Sequence, residues 1–197
     1  MFTPETFDIP ELRGISKTTI EEHIKLYEGY VKNANTVLVH ITDFMNDHEK
    51  YAYELGELQR RFSFEFDGMR NHEYYFKQLE GGVQNPDEKS SFVMKATEDF
   101  GSIQNLIERM KSIALTRGIG WAMLYFDKKS NKLLTSWVDE QHIGHLTGLT
   151  PIIAIDVWEH SYVLDYKPSG KKNYVSDYVA QMNWSVIEKR FAEVNTK

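Results

Sequence analysis

Between Thr18 and Asn46 the larger side chains fall at Ile20, His23, Tyr27, Tyr30, Ala34, Val37 or Leu38, Ile41 and Phe44 or Met45. Steps of three and four lay them along one stripe of an α-helix. Thr18-Thr19-Ile20-Glu21 reads as a capping box, which puts the start of that helix at Thr18. After the polar Asn46-Asp47-His48-Glu49 turn, a second stripe runs through Leu55, Leu58, Phe62, Phe66, Met69, His72 or Glu73, Phe76 and Leu79, and Gly81-Gly82 stops it. Two long helices joined by a short turn predict an antiparallel hairpin. Gln84 to Lys89 reads as a linker, followed by helical stretches at Ser90–Ala96 and Asp99–Leu115 that end before Gly118 and Gly120. The period then changes. Trp121–Phe126, Lys132–Val138 and Pro151–Ile155 are short β-prone runs, and helical spacing returns at Tyr174–Met182 and Trp184–Val194.

This order predicts an α+β protein: an N-terminal antiparallel helical hairpin, residues 1–84, followed by a C-terminal domain, residues 85–197, with a three-stranded antiparallel sheet flanked by helices. A chain of 197 residues is long enough to bury a substantial core. Its 23 basic against 29 acidic residues, a net charge of −6, argue against nucleic acid as a partner, because phosphate contacts need clustered positive charge. No run approaches the ~18 consecutive apolar residues of a membrane span. Met1-Phe2-Thr3-Pro4-Glu5 has no basic stretch leading into an apolar one, so a cytoplasmic protein is expected. Zero Cys removes thiol catalysis, thiolate-held zinc and iron–sulfur clusters together, leaving His, carboxylate and amide groups to hold any metal.

Of the seven His, three lie where a side chain points inward: His23 and His72 on the two apolar stripes, and His160 just past the third apolar run. Each alone reads as a hydrogen-bonded core residue. Together with Asp156 at the strand end they make an N/O set suited to iron or manganese as well as zinc. The His-Glu-x-x-His pattern of hydrolytic zinc sites is absent. His142 and His145 are spaced for a metal pair, but the intervening Gly144 favours a loop.

Asp156-Val157-Trp158-Glu159-His160 resembles the Asp-x-Trp-Glu-His signature of the iron/manganese superoxide dismutases. Asn71-His72-Glu73-Tyr74-Tyr75-Phe76, Tyr30-Val31-Lys32-Asn33-Ala34-Asn35, Gly118-Ile119-Gly120-Trp121 and Asn183-Trp184 resemble further motifs of that family, in its order, from about Thr18 to Phe191. The resemblance implies a homodimer, with a tetramer as a further assembly, that disproportionates superoxide through one manganese or iron ion. It implies His23, His72, Asp156 and His160 as ligands, Trp121 and Trp158 as walls of the site, and Tyr30 at the substrate entrance. It also implies that Glu159 reaches the other subunit's copy of His160. The rival readings are a non-catalytic assembly module of the same fold and a mononuclear hydrolase; the first would not need four ligands, and the second needs a free general base that the residues do not supply.

The departures from the family pattern are specific. Its first ligand lies eight residues before the Tyr of Tyr-Val, a count that falls on Glu22, whereas His23 lies seven before Tyr30. Seven steps of ~100° are two turns and keep His23 and Tyr30 on one face, whereas a spacing of eight needs a one-residue π-bulge. His23 is therefore the expected ligand. The His that usually precedes Tyr-Val is replaced within Leu26-Tyr27-Glu28-Gly29, and the Tyr that meets it from the partner is replaced by Val163. Lys171 or Lys172 stands where relatives carry a basic residue that draws in the anion. Gly68 occupies the position from which some members reach the metal-bound solvent, so Gln141, ten residues before Pro151, is expected to do so, with His142 as its rival. That combination leans toward manganese.

Overall fold

The computed structural model describes residues 1–196. Helix α1, Lys17–Phe44, and helix α2, Ala52–Lys77, form the expected antiparallel hairpin, joined through a 3-10 turn at Met45–Asp47. The cap of α1 differs from the expectation. Ser16, not Thr18, is the N-cap, its Oγ accepting the Thr19 N–H at 3.2 Å. The choice is tertiary: the Asp165 carboxylate receives both the Ser16 N–H at 2.8 Å and the Thr19 hydroxyl at 2.7 Å, fixing the start of α1 two residues earlier.

Helices α3, Ser91–Phe100, and α4, Ile103–Ala114, break at Gly101-Ser102 rather than before Asp99. Gly101 takes φ +85° and Ser102 caps α4 by accepting the Asn105 N–H. Strands β1, Gly120–Asp127, β2, Lys132–Asp139, and β3, Thr150–Asp156, form an antiparallel sheet in the order β2-β1-β3. At the head of β1, Gly120 stands with φ +154°, and a Cβ there would lie 2.1 Å from the Val138 carbonyl oxygen. That contact explains the glycine immediately before Trp121. The β1–β3 register shifts between Leu124 and Tyr125, a bulge beside Pro151 at the sheet margin. The chain closes with α5, Val163–Tyr166, α6, Lys171–Gln181, and α7, Trp184–Val194.

Strand β1 is buried from Gly120 to Phe126, with α4 packed on it, α3 on β2, and α2 and α7 on β3. Where α2 ends, the buried Gln78 side chain treats β3 as a neighbouring strand would. Its Nε2 donates to the Ala154 carbonyl at 2.9 Å and its Oε1 accepts the Ala154 N–H at 2.9 Å. Arg190 of α7 donates to the Ile152 carbonyl on the same margin. The end of α2 is thereby stitched to the strand that terminates in Asp156.

Candidate metal centre

His23 on α1, His72 on α2, Asp156 at the end of β3 and His160 in the turn after it come together between the hairpin and the sheet. Each offers one ligand atom, all within 4.8 Å of one another. The three imidazole Nε2 atoms converge on Asp156 Oδ2, at 3.1 Å from His23, 3.5 Å from His72 and 3.1 Å from His160. His23, His72 and Asp156 have no exposed side chain, and His160 is 23% exposed. Glu22 instead faces out and accepts from Lys25 at 2.7 Å, and α1 is α-helical throughout.

Second partners orient Asp156 and His72, whereas His23 Nδ1 is buried without a hydrogen-bond partner among the described residues. Asp156 Oδ1 accepts the Trp158 N–H at 2.8 Å, which turns Oδ2 inward. His72 Nδ1–H donates to the Gly68 carbonyl, an i to i−4 contact on α2, so its Nε2 carries a lone pair aimed at a carboxylate oxygen. Two lone pairs facing each other in a dry site repel, and His72 Nε2 has no hydrogen-bond partner among the described residues. A cation among the four groups removes that conflict, so the donor set fits a metal ion. Burial lowers the His72 and His23 imidazoles below their ordinary pKa, which favours their neutral form. Burial alone would raise Asp156, but the charge and hydrogen bond of His160 and the hydrogen bond from His23 hold it below the usual carboxylate range.

Aromatic rings enclose the cluster. Trp121 lies edge-on to His72 with centroids 5.0 Å apart, and Tyr30 lies 5.1 Å from the same ring. Trp158 stacks on His160 at 5.8 Å and donates its indole N–H to the Glu140 carbonyl at 3.0 Å. The space at Gly68 is filled by Tyr30, whose ring would meet a Cβ there at 2.6 Å. Burial, then the Asp156 charge, raises the Tyr30 phenol, so it is a proton holder at neutral pH. Gln141 is fully buried, its Oε1 accepting from Trp121 Nε1 at 2.9 Å and its Nε2 donating to Tyr30 Oη at 3.0 Å. His142 turns to the Phe64 ring at 5.6 Å.

Lys171 donates to the Thr116 carbonyl at 2.9 Å at the mouth of β1, whereas Lys172 is exposed. Glu159 is exposed, Leu26 lies on the surface and Val163 is half-buried. Sequence reasoning gave three groups no role at the site, although Asn71 and Tyr75 stand in one of the quoted motifs. Asn71 donates to the Gln141 carbonyl, Tyr174 donates to the Asp156 carbonyl at 2.8 Å, and Tyr75 bonds Tyr174 at 3.2 Å. The 11 tyrosines were a signal that hydroxyl-bearing rings gather somewhere, though not where.

Three imidazoles and a carboxylate, gathered where a helical hairpin meets a small antiparallel sheet, define a metal-binding protein of mixed nitrogen and oxygen ligation. The chain belongs to the iron/manganese superoxide dismutases: residues 88–190 match the family description "Iron/manganese superoxide dismutases, C-terminal domain". It is 33% identical over 187 residues to the superoxide dismutase [Fe] of Aquifex aeolicus, covering 91% of this chain and 85% of that protein. It is 33% identical over 183 residues to the mitochondrial superoxide dismutase [Mn] of Glossina morsitans morsitans, covering 91% and 82%. With the superoxide dismutase [Mn] of Mycobacterium intracellulare it shares 30% over 178 residues, covering 89% and 83%.

Proposed function

We propose that the chain disproportionates superoxide to oxygen and hydrogen peroxide, with one manganese or iron ion held by His23, His72, Asp156 and His160. The ion would supply one-electron chemistry, alternating between its +3 and +2 states. Asp156 contributes the one anionic ligand and lowers the charge of the buried site. Trp121 and Trp158 exclude bulk water, and Tyr30 stands at the entrance holding its proton. Gln141, anchored between Trp121 and Tyr30, presents an amide that can donate to the solvent ligand, which makes it the group that sets how readily that solvent is protonated. Lys171 or Lys172 draws the anion toward an otherwise acidic protein, and the bonded position of Lys171 favours it over Lys172.

Manganese is favoured because Gly68 lacks a side chain while Gln141 is buried against Tyr30. The protein works as a homodimer in the cytoplasm, with Glu159 of each subunit reaching His160 of the other; the exposure of Glu159 beside a partly open His160 supports that reading. No helix among the described residues is long and apolar enough to cross a membrane.

The observation that carries the proposal is the lone pair of His72 Nε2, fixed by Gly68, facing Asp156 Oδ2. Elemental analysis and a superoxide assay on the purified protein, with His72→Ala and Asp156→Ala, test it. Both variants should lose metal and activity, at least tenfold, while keeping their helical circular dichroism. Full metal occupancy in either variant would end the assignment.

A further inference from the structure

Gln141 belongs to the irregular segment between β2 and β3, in which Glu140 takes φ +50°, Gly144 φ +102° and Gly148 φ +78°. The paired N–H···O bonds of Asp139 and Ile143 and the Glu140 N–H to the Ile119 carbonyl at 3.1 Å hold its start, and among the described residues no strand ladder runs on past them. A buried side chain on such a loop needs its backbone fixed by other means.

The Gln141 carbonyl receives two side-chain donors from different elements, Asn71 Nδ2 of α2 at 2.9 Å and His145 Nε2 at 3.1 Å. A carbonyl oxygen only accepts, so the shorter of the two contacts of His145 Nε2, the other being Asn71 Nδ2 at 3.4 Å, assigns the proton to Nε2. Its Nδ1 then accepts, and the hydroxyl of Tyr125 on β1 lies 2.6 Å from it. Burial lowers the His145 imidazole, which keeps it in this neutral form at pH 7. A rigid strand, β1, thus holds a ring on the loop, and the ring holds the carbonyl of the residue whose amide lies between Trp121 and Tyr30.

We propose that His145 is a positioning residue: locked in one tautomer by Tyr125, it fixes the Gln141 backbone and thereby the place of the Gln141 amide at the metal centre. A proton wire is excluded by the chemistry, because the Gln141 carbonyl has no proton to pass on. The action is one of placement. The inference rests on the reading of Gln141 as the donor to the metal-bound solvent.

The test uses the full-length, metal-loaded protein with His145→Phe, His145→Gln, Tyr125→Phe and Gln141→Ala. It reads metal content, kcat, the reduction potential of the bound metal, and deuterium uptake of the amides of residues 140–149. Loss of an outer partner of this kind costs ~10-fold in activity. His145→Phe should keep its metal, lose about that much kcat, shift the potential and exchange faster over 140–149. Gln at position 145 offers an amide donor without a titrating ring, so His145→Gln should restore most of kcat and the potential. Tyr125→Phe should move the same quantities in the same direction as His145→Phe, and guards against a ring substitution that simply unfolds the loop. Parent values of potential and uptake in His145→Phe, or a loss that His145→Gln does not repair, overturn the proposal. Parent turnover and potential in Gln141→Ala would instead overturn the role given to Gln141.

Discussion

Asp67 sits on α2 one turn before the asparagine that holds the Gln141 carbonyl, and burial pushes its carboxyl up to about 6. A carboxyl raised in the folded state binds its proton more tightly there than in the unfolded chain. Its ionisation therefore erodes stability as pH rises from about 4 to about 6, and the whole cost persists above that window. Replacing it by the uncharged isostere should stabilise the protein at pH 7 and not at pH 4. Denaturant unfolding of Asp67→Asn against the parent checks this, the expected gain being about 1 kcal/mol after allowance for solvent screening. An equal difference at both pH values would mean that the carboxyl is not perturbed.

The inward positions of His23 and, as an alternative to Glu73, His72 were legible from helical periodicity, and Asp156 with His160 from the strand end; that the four belong to one set came from the family resemblance, since each His alone reads as a core residue. The grip on Gln141 was not legible. Asn71, Tyr125 and His145 lie 70, 16 and 4 residues from it, and no local pattern joins a strand tyrosine to a loop imidazole.

Helix types and strand runs followed from the switch between periods of about 3.6 and 2, which burial on one face imposes on any chain. Helix ends did not follow so directly, because the capping box read at Thr18 gives way to Ser16, where the distant Asp165 binds the Ser16 N–H and the Thr19 hydroxyl. Likewise Asp99 looked like a helix start, yet it lies in the last turn of α3, and its carboxylate reaches the β2 margin to accept the Leu133 N–H at 2.8 Å. The cap assignment has a direct consequence. Ser16→Ala should cost about 1 kcal/mol of unfolding free energy, whereas Thr18→Ala, on the exposed face, should stay within about 0.5 kcal/mol. Chemical denaturation of the pair distinguishes them, and the reverse ranking would restore Thr18 as the cap.

At the scale of the whole molecule, a single chain leaves Glu159 in solvent next to His160, and Leu164 is 62% exposed a few residues further on. A second copy laid over this turn would give the Glu159 carboxylate an imidazole partner in a desolvated place, where removal of one member is costly. Glu159→Ala should therefore weaken the dimer and reduce bound metal together, which sedimentation at micromolar concentration and elemental analysis would show. A parent protein that sediments as a monomer under those conditions would contradict the arrangement.

The Gln78 amide at the margin of β3 has a bearing on what the chain avoids. β3 is an outer strand, and the backbone groups it turns away from β1 would be a template on which a strand from another molecule could add, the route to ordered aggregates. The Ala154 N–H and carbonyl are already occupied by Gln78, and the Ile152 carbonyl by Arg190, so that template is closed before any second chain can reach it. An apolar residue at position 78 would leave the helix intact and reopen the margin. The damage would then appear during folding and storage, as insolubility of an otherwise well-formed protein.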